Sequence, residues 1–243
     1  MKLLAVDTAL GACSAVLLDG DKILAHSFEA MDRGHAERLA PMVEETMKQA
    51  GMAFAALERL AVTTGPGTFT GQRVGLAFMR GLRLALHIPL TGLTTLETIA
   101  AGAMDETKKA KAAVIHDARR EEAYLLLQEG ERTVQQPIVL PFQDAIARIR
   151  AFGPCALAGT GAAVAKESLG GDFTLSAIRQ PDALWVARLA QRRAPAKEAP
   201  GPLYLRAPDA KLPGGRSIGQ PSEAVGSGSV PTSAVRPDRE SLV

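Results

Sequence analysis

The stretch Thr63-Thr64-Gly65-Pro66-Gly67-Thr68-Phe69-Thr70-Gly71-Gln72-Arg73-Val74-Gly75 joins an apolar run at 60–62 to a long helical pattern. Pro66 fixes one φ angle, the flanking glycines admit positive φ or close backbone approach, and Thr68 or Thr70 is placed to cap the helix that follows. The segment therefore predicts a strand, a tight loop and a helix start. Free N–H groups at such a start attract anions, so one reading is a phosphate loop. The spacing gives it no specificity. Gly-Lys-Ser/Thr is absent, and Gly65-x-Gly67-x-x-x-Gly71 is one residue longer than the dinucleotide fingerprint. The other reading is tight packing alone.

Upstream, 2–8 is a short apolar strand closing on Asp7-Thr8, 13–18 is a second strand, and the Asp19-Gly20-Asp21 turn leads to a third at 22–30. Asp7 sits where a strand meets a turn, where it can hold a metal–phosphate water or bond the turn's own N–H groups. A helix at 34–50 carries His35, Leu39, Met42, Val43, Thr46 and Ala50 at helical offsets, with Pro41 predicting a kink near Glu37 or a start close to Pro41. The next helix, 72–87, gathers Arg73, Arg80, Arg83 and His87 near one stripe. Val74, Leu76, Phe78, Leu82, Leu84 and Leu86 leave most of its circumference apolar, which predicts cover on more than one side. Gly75 and Gly81 inside it each cost about 1 kcal/mol relative to alanine and so predict a closely packed backbone, from this chain or another.

A strand at 90–93 and a short helix at 94–104 complete a βββαβα order, which begins again in shorter form from Lys111 and ends in a helix around 182–192. Two similar α/β lobes, 1–104 and 105–207, follow from that repetition. The rest, 208–243, is rich in Pro, Gly and Ser, poor in large apolar residues and balanced in charge, and predicts a disordered tail.

Bulk properties narrow the function. The net charge is only +2 and aromatics are 4%, too little for an autonomous RNA binder. Asp7 cuts the N-terminal apolar run short of a signal or membrane span, which predicts a cytoplasmic protein with no membrane contact. Cys13 and Cys155 lie far apart without a Cys-x-x-Cys, and the four histidines show no paired ligand spacing, so neither a disulfide framework nor a metal site is predicted.

Val6-Asp7-Thr8 with Cys13-Ser14, His35 with Leu39 and Pro41-Met42, the 65–75 segment, Asp117-Ala118-Arg119 with Glu122 and Tyr124, and Leu203-Tyr204-Leu205-Arg206 together resemble the bacterial TsaB (YeaZ) family, over about residues 1–206. The resemblance implies two actin-like ATPase (ribonuclease H-like) lobes, the second shortened. It also implies a partner, TsaD, the catalytic subunit that places a threonylcarbamoyl group on adenosine next to the anticodon of tRNAs reading codons that begin with A. TsaE, an ATPase, completes that set, so ATP is used by the complex and tRNA is met through it. The related catalytic subunits carry a His-x-x-x-His pair where this chain has Leu93-Thr94-Thr95-Leu96-Glu97-Thr98-Ile99, and a phosphate loop where it has Asp117-Ala118-Arg119. Both absences point to a relative without the metal chemistry, with no catalytic residue or cofactor of its own.

Two functions follow. In the first, the chain is a scaffold whose partner-binding face comprises His35, Leu39, Met42, Val43, Val74, Gly75, Phe78, Gly81 and Leu82, a face that also serves a self-dimer. In the second, it is an ATP-binding phosphotransferase or ATPase contacting nucleotide through Asp7, Thr8, Gly65, Gly67 and Thr68. Ser14 and His35 carry no local signature of a protease triad.

Overall fold

A computed structural model describes residues 1–195 and 198–206. The predicted tail at 208–243 lies outside the described residues. Met1–Arg206 forms one compact unit built on two five-stranded mixed sheets. The first has the order β3-β2-β1-β4-β5, from β1 (Lys2–Asp7), β2 (Ala12–Asp19), β3 (Lys22–Ala30), β4 (Arg59–Thr63) and β5 (Leu90–Leu93). β1 pairs antiparallel with β2 and parallel with β4, so its central place makes Leu3, Leu4, Ala5 and Val6 wholly buried. The second repeats the order as β10-β9-β6-β7-β8, from β6 (Lys111–Asp117), β7 (Glu122–Glu129), β8 (Arg132–Pro141), β9 (Ala156–Ala158) and β10 (Thr174–Leu175).

Helices α1 (His35–Gln49) and α2 (Phe69–Leu86) cover one face of the first sheet, with Leu39, Met42, Val43, Leu76 and Met79 set against Leu4, Val6, Leu17 and Val62. α1 runs through Pro41 and does not start there. Pro41 is exposed, so water can satisfy the carbonyl that loses its helical partner. α2 starts three residues earlier than its apolar pattern, because Thr68 caps it by accepting a hydrogen bond from the Gly71 N–H. α3 (Thr95–Thr107) opens with a reciprocal capping box between Thr94 and Glu97 and leads into the second lobe, where α4 (Phe142–Phe152) and α5 (Ala162–Leu169) pack.

The last helix, α6 (Ala183–Gln191), departs from the predicted division at residue 104. It returns to the first sheet, where Ala183, Val186, Ala187 and Ala190 close a core with Leu3, Ala5, Val16, Leu18, Ala61 and Leu93. The first lobe is therefore discontinuous in sequence. Its helical spacing was visible; which of two similar sheets it would cover was not.

Candidate functional site

The end of β1 and the start of α2 are locked together by one threonine. Thr8 Oγ1 donates to the Gly71 carbonyl (2.7 Å) and accepts from the Gly75 N–H (3.0 Å), both buried. Each such bond is worth about 1 kcal/mol net, and leaving a buried partner unpaired costs about 1–3 kcal/mol. The glycines are consumed by the same packing. A Cβ on Gly67 would overlap the Ala9 carbonyl oxygen, one on Gly71 the Thr8 carbonyl oxygen, and one on Gly75 would stand 2.7 Å from Thr8 Oγ1. Gly65 has φ +109°, with Gln72 and the Leu203 carbonyl filling the space beside it.

Some of the amides are engaged as well. The Thr68 N–H donates to the Ala9 carbonyl (2.8 Å) and the Gly71 N–H to Thr68 Oγ1 (3.1 Å). In the second lobe the Gly161 N–H donates to the Ile115 carbonyl (3.0 Å), and Thr160 Oγ1 accepts from the Asp117 N–H (2.9 Å). Part of each turn's set of backbone donors is thus spent within the chain, and the first loop is packed against the backbone of Thr8 and Ala9.

Asp7 ends β1 fully buried. Its Oδ1 accepts from Thr63 Oγ1 (2.5 Å) and from the Ala9 N–H (3.3 Å), while Oδ2 has no partner. Burial is the largest influence and, with a smaller push from Asp182, lifts its pKa to about 7 against the pull of the Thr63 and Ala9 bonds. A carboxyl with its folded pKa raised holds a proton that the unfolded chain has released. This contribution therefore falls as pH rises from about 4 to about 7, by an amount on the order of 4 kcal/mol. Asp7→Asn is expected to stabilise the fold at pH 8 and change little at pH 4. Urea unfolding of both proteins at the two pH values checks this, and equal differences at both would refute it.

Opposite this turn, the segment 203–206 spans the lobes. The Leu203 N–H donates to the Thr64 carbonyl (2.7 Å), and Arg73 Nε donates to the Tyr204 hydroxyl (2.7 Å) while its guanidinium lies 3.4 Å over the Phe69 ring. Arg206 donates to the Ala118 carbonyl (2.9 Å) and pairs with Glu122. It thereby braces a turn in which Arg119, Arg120 and Glu121 all have positive φ. The sequence placed Leu203-Tyr204-Leu205-Arg206 within the resemblance but gave no sign that it joins the two lobes.

The predicted partner face divides in two. Leu39, Met42 and Val43 are core residues with at most 1% exposure, and Gly75 is shut in by Thr8, so none of these four offers a surface. An amphipathic stripe has the same spacing whether it meets its own sheet or another protein, which is why the sequence misplaced them. His35 is also buried, its Nε2 donating to the Leu10 carbonyl (2.9 Å). Val74, Phe78 and Leu82 are half-buried at the flanks of α2, and Gly81 is exposed with nothing within 4 Å of where a Cβ would be. Missed were Ala77, Leu84 and Ala85, all exposed on the same side. That α2 would be apolar nearly all round was the signal that could have found them.

Protease chemistry has no support in these positions. Ser14 Oγ accepts from the Ala183 N–H (2.9 Å), His35 is bonded to backbone, and burial pushes the thiols of Cys13 and Cys155 up to about 12. Among the described residues no three His, Cys, Asp or Glu side chains form a metal-ligand set, and no helix is long and apolar enough to cross a membrane.

Two mixed sheets of repeated order, flanked by helices, define a two-lobed actin-like ATPase fold. The family model for TsaD, tRNA N6-adenosine threonylcarbamoyltransferase, matches residues 22–178. The tRNA threonylcarbamoyladenosine biosynthesis protein TsaB of Haemophilus influenzae is 30% identical over 205 residues, covering 79% of this chain and 85% of that protein. The Escherichia coli protein of the same name is 38% identical over 124 residues, which span 51% of this chain and 53% of that one. A crystal structure of a Pseudomonas aeruginosa protein, described as uncharacterized with similarity to peptidase YeaZ, superposes with a TM-score of 0.72 at 32% identity, covering 84% of this chain and 99% of that chain. The chain belongs to the TsaB (YeaZ) family.

Proposed function

We propose that the chain takes part in tRNA threonylcarbamoyladenosine biosynthesis as a subunit without an active site of its own, and that it acts by binding and stabilising TsaD. Involvement in that pathway rests on the family and on the names its members carry. The observation that supports the binding role is the outer surface of α2. Ala77, Gly81, Leu84 and Ala85 are exposed there, Leu84 at 68%, beside half-buried Val74 and Phe78. A helix that ends against water normally turns charge outward; a line of small and apolar residues is the surface a second helix packs on. The same surface serves a second copy of this chain when TsaD is absent. TsaE and tRNA are met through the assembly, which works in the cytoplasm and uses ATP. Co-expression with a tagged TsaD is expected to recover the chain in stoichiometric amount, and its absence from the eluate would overturn this function.

A second function, an ATPase or phosphotransferase, is favoured by one observation, the unpartnered Oδ2 of buried Asp7. The packing of Gly67 and Gly71 against the carbonyl oxygens of Ala9 and Thr8 argues against it. Isothermal titration with ATP is expected to show no binding that Asp7→Ala removes. Micromolar affinity abolished by that substitution would favour the enzyme.

A further inference from the structure

On the side of the molecule away from the strand-end turns, α3 and α6 face the β7–β8 hairpin across a cleft of about 520 Å³. That volume suits a ligand of nucleotide size. Trp185, the single tryptophan, lines the cleft with its indole edge seated over Gly102; a Cβ there would come within 2.8 Å of Nε1. The Arg188 guanidinium lies over the indole ring, 4.7 Å from its centroid. It makes no hydrogen bond or ion pair among the described residues, and neither does Lys109 on the opposite rim. The three acids of the cleft are all engaged: Glu97 pairs with Arg193, Glu131 lies 3.5 Å from Arg192, and Asp105 lies 3.4 Å from Lys108. Two cations are therefore left over inside a concave wall, one of them planar and held in orientation by an aromatic ring.

From this we infer that the cleft binds a phosphate-bearing ligand, with the fork of Arg188 and the ammonium of Lys109 meeting the phosphate oxygens. A guanidinium already stacked has lost much of its rotamer freedom, so forming two parallel N–H···O bonds costs it less entropy than an unrestrained arginine would pay. The arginine also borders a smaller hollow that Asp21 lines, on the other side of Trp185. The inference is independent of the TsaD-binding function, since no residue of α2 takes part. A nucleotide free in solution and a nucleotide within an RNA strand present the same oxyanion.

Trp185, the single tryptophan, supplies the readout, since it lines the cleft beside Arg188. The full chain is titrated with pyrophosphate, ATP and a tRNA transcript at low salt, with calorimetry as a second measurement. A saturable change with at least one of them is expected, weakened at least tenfold in Arg188→Gln and several-fold in Lys109→Gln, and unaltered in Lys48→Gln, a change to an exposed lysine on α1. A response to pyrophosphate and ATP assigns a free ligand; a response to tRNA alone assigns a strand. Arg188→Lys, which keeps the charge and loses the fork, is expected to fall between the parent and Arg188→Gln. No saturable response to any probe, or one that Arg188→Gln leaves intact, overturns the proposal.

Discussion

Alanine at Gly71 is expected to cost the fold about 3 kcal/mol or more, while alanine at Gly81, ten residues along the same helix, is expected to gain about 1 kcal/mol. The methyl group at 71 would overlap the carbonyl oxygen of Thr8, a buried residue directly after the central strand β1, and the loop cannot yield without releasing the Thr8 bonds to Gly71 and Gly75. At 81 the methyl group meets open space, and only the ordinary helix preference of alanine over glycine remains. Denaturant midpoints of the two variants against the parent check the pair. A stable Gly71→Ala protein would show that the strand–loop–helix joint is looser than its packing.

Arginine at Gly81 is expected to leave the chain folded and abolish its recovery with TsaD, together with threonylcarbamoyladenosine formation where the assembly is reconstituted. Nothing in the free chain stands over Gly81, so a long side chain there disturbs no internal contact, and helix preference favours it over glycine. Against a partner helix the same side chain places a charge and several methylenes where backbones approach. A loss of affinity of at least a hundredfold is expected, larger with Leu84→Asp added, since contacts at the centre of an interface carry most of its energy. Leu84 is exposed and its replacement leaves the core untouched. Circular dichroism and melting temperature must match the parent. A folded Gly81→Arg chain that binds TsaD fully and supports full modification of tRNA would place the interface elsewhere.

Much of the scaffold was legible because its signals are local. The Asp19-Gly20-Asp21 turn and the residues around it located β3 at both ends, and Thr94 with Glu97 announced the start of α3. The two-residue strand β10 has no period to detect, and it forms because the Thr174 and Ser176 N–H groups find the Cys155 and Leu157 carbonyls across the sheet. Glycine was the least legible residue: Gly75 and Gly81 look alike in a helical pattern, yet one is pressed against Thr8 and the other faces solvent. Asp7 was visible as the end of a strand. That it would be wholly buried with one oxygen unpaired depends on Thr63, Ala9 and Asp182, brought together only by the fold.

The return of α6 to the first sheet bears on how the chain folds as it is made. Leu3, Ala5, Val16, Leu18, Ala61 and Leu93 leave the ribosome early, but the helix that shields them follows the whole second lobe, some ninety residues later than Leu93. At synthesis rates of about 5–20 residues per second, that sheet face stays uncovered for several seconds, a sticky half-finished surface at the age when nascent chains aggregate most readily. A chain cut at residue 104 is expected to leave that face of the first sheet uncovered. The two lobes that repeat one another in strand order form a single folding unit, closed by a helix near its end.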